Sequence, residues 1–129
     1  MDLELTARGP VADDEMHTLF DAAWGGTSGT AWGPLLERSL TWVTARRDGR
    51  LVGFVNVATD GGAHAFLLDT TVHPDEQRKG LGRLLIDEAA ADARARGAHW
   101  LHVDFEPHLT EFYRGAGFRD TPAGLMRLQ

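Results

Sequence analysis

The chain has no cysteine in its 129 residues, which excludes a disulfide framework, a thiolate zinc site and a cysteine nucleophile. Covalent chemistry, if any, falls to other side chains. Tyrosine occurs once, and there is no internal repeat, low-complexity tract or Ser/Pro-rich linker. No apolar run approaches the roughly 20 residues of a membrane-spanning helix. The opening MDLELTARGP is acidic and alternating rather than basic and then apolar, unlike a secretory leader. The expectation is a soluble, cytoplasmic protein with no membrane partner. Positive charge is scarce as well, with 13 Lys and Arg against 19 Asp and Glu and a formal net charge of -6. That balance argues against nucleic acid as a partner, because phosphate backbones attract clustered Lys and Arg, and it mildly favours cationic ligands.

What is present suits one compact unit. With 43% hydrophobic residues, the chain can bury one core but not two ordinary ones, so we expect a single domain over residues 1–129 with one cleft. LELTARG (3–9) alternates like a strand with one buried face. VADDEMHTLFDAAWGG reads as a helix capped by Asp13 or Asp14 and stopped by Gly25 and Gly26. A loop, TSGTAWGP, and a short helix after Pro34 follow. TWVTARRDGRLVGFVNVATDGG gives two alternating runs joined at Asp48-Gly49, a strong hairpin signal. HAFLLDTTVHP reads as a strand closed by Pro74. From Gly80 to Arg96, Leu81, Leu84, Leu85, Ala89 and Ala93 recur at helical spacing before Gly97. HWLHVDF is another strand, PHLTEFYRGAG a short helix, and GLMRLQ a possible last strand. The elements add up to a mixed α/β fold, with one central sheet of about six to seven strands and helices on both faces.

The chemistry concentrates in VHPDEQRKGLGRLLIDEAA (72–90). A strand there feeds a helix whose first amides lack intrahelical acceptors and carry partial positive charge. Gly80 and Gly82 remove Cβ atoms that would hold a ligand away, and Arg78, Lys79 and Arg83 add full charges. The combination suits a phosphate or pyrophosphate. A glycine-rich helix start with a solvated basic fringe would look the same. The triphosphate loop and the dinucleotide fingerprint both fail on spacing, the second because Leu85 stands where its third glycine belongs.

Gln77-Arg78-Lys79-Gly80-Leu81-Gly82 resembles the Gln/Arg-x-x-Gly-x-Gly/Ala signature of the GNAT superfamily of N-acetyltransferases. LLDTTVHPDE before it and FYRGAGF after it are similar to that family's fourth strand and final helix-strand segment. The resemblance implies that amides of this turn, Gln77 to Arg83, hold the pyrophosphate of acetyl-coenzyme A. It also implies that a backbone N–H around Thr71 and Val72 meets the thioester carbonyl where two strands splay, and that Tyr113 is the general acid. It implies an acceptor grip in WGGTSGTAWGP, between Trp24 and Trp32. Both tryptophans and Trp42 also suit a core role, as the ring of Tyr113 does.

Acetyl transfer to an amine further needs that amine neutral. For a lysine-like amine with a pKa near 10.4 this costs roughly 4 to 5 kcal/mol at pH 7, against about 1 to 1.5 for an α-amine. Candidate bases are Asp69, His102 and Asp104. Glu106 is a candidate for attracting a cationic substrate. Period 2 puts His102, Asp104 and Glu106 on one strand face, lining a cleft or simply facing solvent. Many family members carry Asn and Ala seven and four positions before the tyrosine, where Glu106 and Leu109 stand here. The six histidines show no paired metal-site spacing, so no metal is implied. The expectation is acetyl-coenzyme A-dependent N-acetylation of a primary amine, a small molecule or peptide, by direct attack in a ternary complex. The alternative is a non-catalytic module that binds coenzyme A or another anion and acts through a protein partner. A homodimer covering an exposed sheet edge is also expected as a possibility.

Overall fold

Asp48 and Gly49, at φ +51° and +84°, make the tight turn that the Asp-Gly pair predicts, and a sheet grows from it. The computed structural model describes residues 2–26 and 29–129. Strand β1 (Leu3–Ala7) is followed by helices α1 (Asp13–Trp24) and α2 (Trp32–Glu37). The hairpin β2 (Thr41–Arg47) and β3 (Arg50–Thr59) leads into β4 (His64–Val72), a 3₁₀ turn at Pro74–Glu76 and helix α3 (Leu81–Ala95). Strand β5 (Trp100–His102), a second 3₁₀ turn at Pro107–Leu109 and helix α4 (Thr110–Gly115) complete the elements. The strands lie in chain order, antiparallel throughout except for the parallel β4–β5 pair.

Helices cover both faces. Leu81, Leu85, Ile86, Ala89 and Ala93 of α3 pack on Val43, Ala45, Val55 and Val57, and Gly53 makes room for Leu85, whose methyl would lie 3.0 Å from an added Cβ. On the other face Met16, Leu19, Trp32 and Leu36 enclose Phe54. Residues 51–57 of β3 are therefore buried without a break, as a doubly covered strand requires. Asn56 in that run accepts a hydrogen bond from Ser39 Oγ at 2.6 Å, so its polarity is satisfied.

The mixed fold is as expected, with differences in detail. Among the described residues the sheet has five strands, not six to seven. GLMRLQ forms no strand, and its apolar side chains stay outside the core: Leu125, Met126 and Leu128 are 92%, 79% and 86% exposed. HWLHVDF contributes only Trp100–His102 to the ladder. Helix α1 is capped at Ala12, whose N–H donates to Glu15 at 2.9 Å, leaving Asp13 and Asp14 in the first turn, where they favour the helix dipole. Helix α2 starts at Trp32, before Pro34 rather than after it, since proline is tolerated in a first turn.

Candidate active site

The site begins where β4 loses a neighbour. β4 and β5 pair only at His64–Trp100, Ala65–Leu101 and Phe66–His102, yet β4 continues to Val72. From Leu67 onward its edge on that side has no strand partner among the described residues, and a wedge opens between it and the chain leaving β5. In the same stretch Asn56 pairs with Leu68 and Phe54 with Thr71, so Asp69 and Thr70 together oppose one residue of β3. Asp69 takes φ +58°. This is a β-bulge, a device that re-aims side chains at strand margins. A Thr71 hydroxyl donates to the Asp69 carbonyl at 2.9 Å and accepts from the Trp24 indole N–H at 3.1 Å, tying α1 to the bulge.

β4 then delivers the glycine turn. Gln77 donates its amide to the Val72 carbonyl at 3.1 Å, and Arg78 and Gly80 are left-handed at φ +65° and +84°. The first turn of α3 has no side-chain cap; its first intrahelical bond runs from Leu84 N–H to the Gly80 carbonyl. Amides before Leu84 are thus available to an anion. A Cβ on Gly80 would meet nothing within 4 Å, and one on Gly82 would stand 3.4 Å from the Phe112 ring, so neither glycine is demanded by packing alone. The residues fit a pyrophosphate: free amides, a bare backbone and exposed Arg78 and Lys79. Arg83 also pairs with Asp87 at 2.9 Å. Glu76 holds the turn from behind through a two-pronged pair with Arg47 of β2, at 2.8 and 3.0 Å. That guanidinium is the main reason the Glu76 carboxyl lies below its ordinary range.

Tyr113 is 7% exposed and belongs to the core. Its ring stacks on Phe105 at 4.7 Å and meets Phe112 and Phe118 edge-on. Its hydroxyl interacts with Thr70 of the bulge. Burial pushes the phenol above its usual value, Thr70 pulls it back, and the charge of Asp104 pushes it up again.

The remaining candidates separate into two groups. Asp69 lines a recess of about 510 Å³ with Phe20, Trp24, Thr30, Trp32 and Leu35. Desolvation there raises its carboxyl above the ordinary aspartate range. Trp24 is 67% exposed, whereas Trp32 is buried in contact with Phe20 and Phe54. Thr27 and Ser28 of the expected acceptor loop lie outside the described residues, as does Met1. His102 and Asp104 line a different cavity, beyond β5. The alternation expected from His102 to Glu106 persists past the end of the strand, with Leu101, Val103 and Phe105 packed on the core and the three polar residues exposed. Glu106 precedes the Pro107 turn and lines neither cavity.

Sequence reasoning missed the Arg47–Glu76 strut, the Trp24–Thr71 bond and a His64–His102 contact of 2.8 Å. Each joins residues at least 29 positions apart, and no local pattern signals such pairs.

Comparisons with known proteins bear on this geometry. A family model described as "Acetyltransferase (GNAT) family" matches residues 8–118. The chain is similar to "Serotonin N-acetyltransferase 2, chloroplastic" of Oryza sativa subsp. japonica, 38% identical over 74 residues, or 57% of this chain and 37% of that one. It spans less than half the length of the first curated relatives it matches. Among solved structures, a GNAT family acetyltransferase of Streptococcus pneumoniae superposes with a TM-score of 0.80 at 23% identity, covering 99% of this chain and 100% of the other. The aminoglycoside N-acetyltransferase AAC(6')-Iy in complex with coenzyme A gives 0.78 at 17% identity, covering 99% and 95%. At these identities the structural likeness concerns the fold.

Proposed function

The chain belongs to the acetyltransferase (GNAT) family, and on that premise we propose that residues 1–129 form one domain that acetylates a primary amine by direct attack within a ternary complex. The observation that carries this reading is the β4–β5 ladder, which ends at Phe66–His102 while β4 runs on into the glycine turn. The wedge admits an extended ligand arm, and the turn at its mouth suits that arm's pyrophosphate.

Acetyl-coenzyme A supplies the activated acetyl group. The amides of Gly80 to Arg83, with Arg78 and Lys79, hold its phosphates, and Gln77 stiffens the turn through Val72. A backbone N–H at Thr71 or Val72 polarises the acyl carbonyl. Asp69 receives the amine in a recess walled by Phe20, Trp24 and Trp32, where it stabilises the incoming cation and accepts its proton. Tyr113 O–H donates a proton to the departing sulfur. The recess combines aromatic walls with one carboxylate, which favours an aromatic ethylamine; serotonin, the acceptor in the rice relative's name, is of that class. Among the described residues no helix is long and apolar enough to cross a membrane. Action in the cytoplasm belongs to this proposal, the rice relative being named for the chloroplast.

The burial of the Tyr113 ring in the core favours a second reading, a coenzyme A-binding module without turnover. Thiol release from acetyl-coenzyme A across aromatic, aliphatic and peptide amines, with calorimetry on the same protein, separates the two. Release with aromatic amines supports the proposal, and tight binding without release from any amine supports the second reading. Gly82→Glu places a carboxylate at the anion site, and we expect coenzyme A affinity to fall by about 100-fold, roughly 2.7 kcal/mol, with an unchanged melting midpoint. Retained affinity would place the phosphates elsewhere.

A further inference from the structure

His64 and His102 stand 38 positions apart in the chain, and their rings meet: His64 Nδ1 lies 2.8 Å from His102 Nε2. The sheet brings them together. β4 and β5 run parallel, with His64 beside Trp100 and Phe66 beside His102, so the two histidines are diagonal neighbours on one sheet face. The spacing of histidines along the sequence carries no trace of this pair.

Both rings are held in place. In the turn before β4, the Asp60 carboxylate accepts from the Gly62 N–H at 2.7 Å and from the His64 N–H at 3.3 Å, and the Asp60 N–H donates to the His64 carbonyl at 3.2 Å. The His102 ring stacks on Phe66, with centroids 4.8 Å apart and planes at 21°. Both histidines are exposed, so a hydrated ion reaches them without any opening of the core.

Two imidazole nitrogens this close need a positive centre between them, because their lone pairs otherwise face each other. A proton serves, as an N–H···N hydrogen bond with one ring as donor. A divalent metal serves equally. With bonds of about 2.0–2.1 Å, the zinc–imidazole scale, a right angle at the metal puts the nitrogens about 2.9 Å apart, whereas a tetrahedral angle needs about 3.3 Å. The separation of 2.8 Å therefore matches the square-planar or tetragonal geometry of Cu(II) and Ni(II). We propose that His64 and His102 form a two-imidazole site for a divalent transition metal, Cu(II) in first place and Ni(II) after it, with water in the remaining positions. Among the described residues no third His, Cys, Asp or Glu joins them in a metal-binding group, so the protein supplies two ligands. A bound ion pins β5 to β4 at Phe66–His102, the last rung before the strands part. The inference stands on strand register and ring geometry and is independent of the reaction catalysed.

The test is titration of the full chain, freed of metal with a chelator, by Cu(II) and separately by Ni(II) in neutral buffer, followed by calorimetry and, for copper, electron paramagnetic resonance. The expected result is one bound equivalent with two equatorial nitrogens in the copper spectrum, and tighter binding of Cu(II) than of Ni(II). Ni(II) should also slow amide exchange at residues 64–66 and 100–102. His64→Gln and His102→Gln alter exposed side chains, so circular dichroism should match the parent, while each lowers Cu(II) affinity at least about 10-fold and removes the effect on exchange. Parent affinity in either variant overturns the proposal. So does a copper spectrum with a single nitrogen, which would leave the pair as a hydrogen bond alone.

Discussion

Asp69 combines three properties that rarely coincide in a structural aspartate. It is left-handed at φ +58°, a conformation costing a non-glycine residue about 1 kcal/mol or more; it faces an aromatic recess; and desolvation raises its carboxyl. On the role proposed for it as base, Asp69 must be ionised to act, so the acid limb of kcat/KM should lie above the ordinary aspartate value of about 3.9, with activity rising as pH climbs through it. Asp69→Asn should remove that limb and lower kcat/KM by about 100-fold, measured as a pH profile; an unchanged profile would assign the proton to water. For Tyr113, burial leads and Asp104 adds to a raised phenol pKa, so the hydroxyl keeps its proton throughout the physiological range. Tyr113→Phe should reduce kcat at least tenfold with coenzyme A affinity, by calorimetry, within about twofold. Equal loss of both would mean that its ring matters and its hydroxyl does not. Both residues were legible in the sequence as candidates, Asp69 from its strand and Tyr113 from the FYRGAGF resemblance, but neither the bulge that carries Asp69 and touches Tyr113 through Thr70 nor their separate environments were.

At the level of elements, the site depends on α1 and the β2–β3 hairpin staying in register with β4. Arg46 of β2 grips Glu15 of α1 with two bonds of 2.8 Å and also donates to the Gly49 and Pro10 carbonyls. The Arg46 hydrogen bond is the main cause that lowers the Glu15 carboxyl. A depressed carboxyl contributes stability above its unfolded pKa, and that contribution is lost as pH falls through the folded one. Arg46→Met should therefore cost about 1 to 2 kcal/mol near pH 7, visible as a melting midpoint several degrees lower, and the difference should shrink below about pH 4. Helix α3 and the hairpin were readable because their signals are local: apolar spacing from Leu81 to Ala93, and the Asp48-Gly49 turn. The bulge at Asp69–Thr70 was not, because HAFLLDTTV reads as an unbroken strand and only pairing with β3 reveals the extra residue.

For the whole molecule, the doubly covered β3 divides the interior into an α3 side and an α1–α2 side, and β4 passes between the groups each side contributes. The glycine turn and Tyr113 come from the α3–α4 side and Trp24 from α1, and they meet around residues 69–82 of one continuous stretch. The acidic balance of the chain leaves Arg78 and Lys79 as a local exception at the wedge mouth.

The sequence by itself determined the mixed fold, the order of elements and the position of the glycine turn, because each rests on spacing within a few residues: alternation, helical periodicity, and glycines beside basic side chains. Tertiary structure alone decided that β5 stops at His102, that Asp69 sits on a bulge facing Trp24 while His102 and Asp104 face another cavity, that Arg47 braces Glu76, and that the tail from Leu125 finds no place in its own sheet. Those outcomes depend on which surfaces meet across the sheet and how well they exclude water, and such energies belong to pairs of residues distant in the chain.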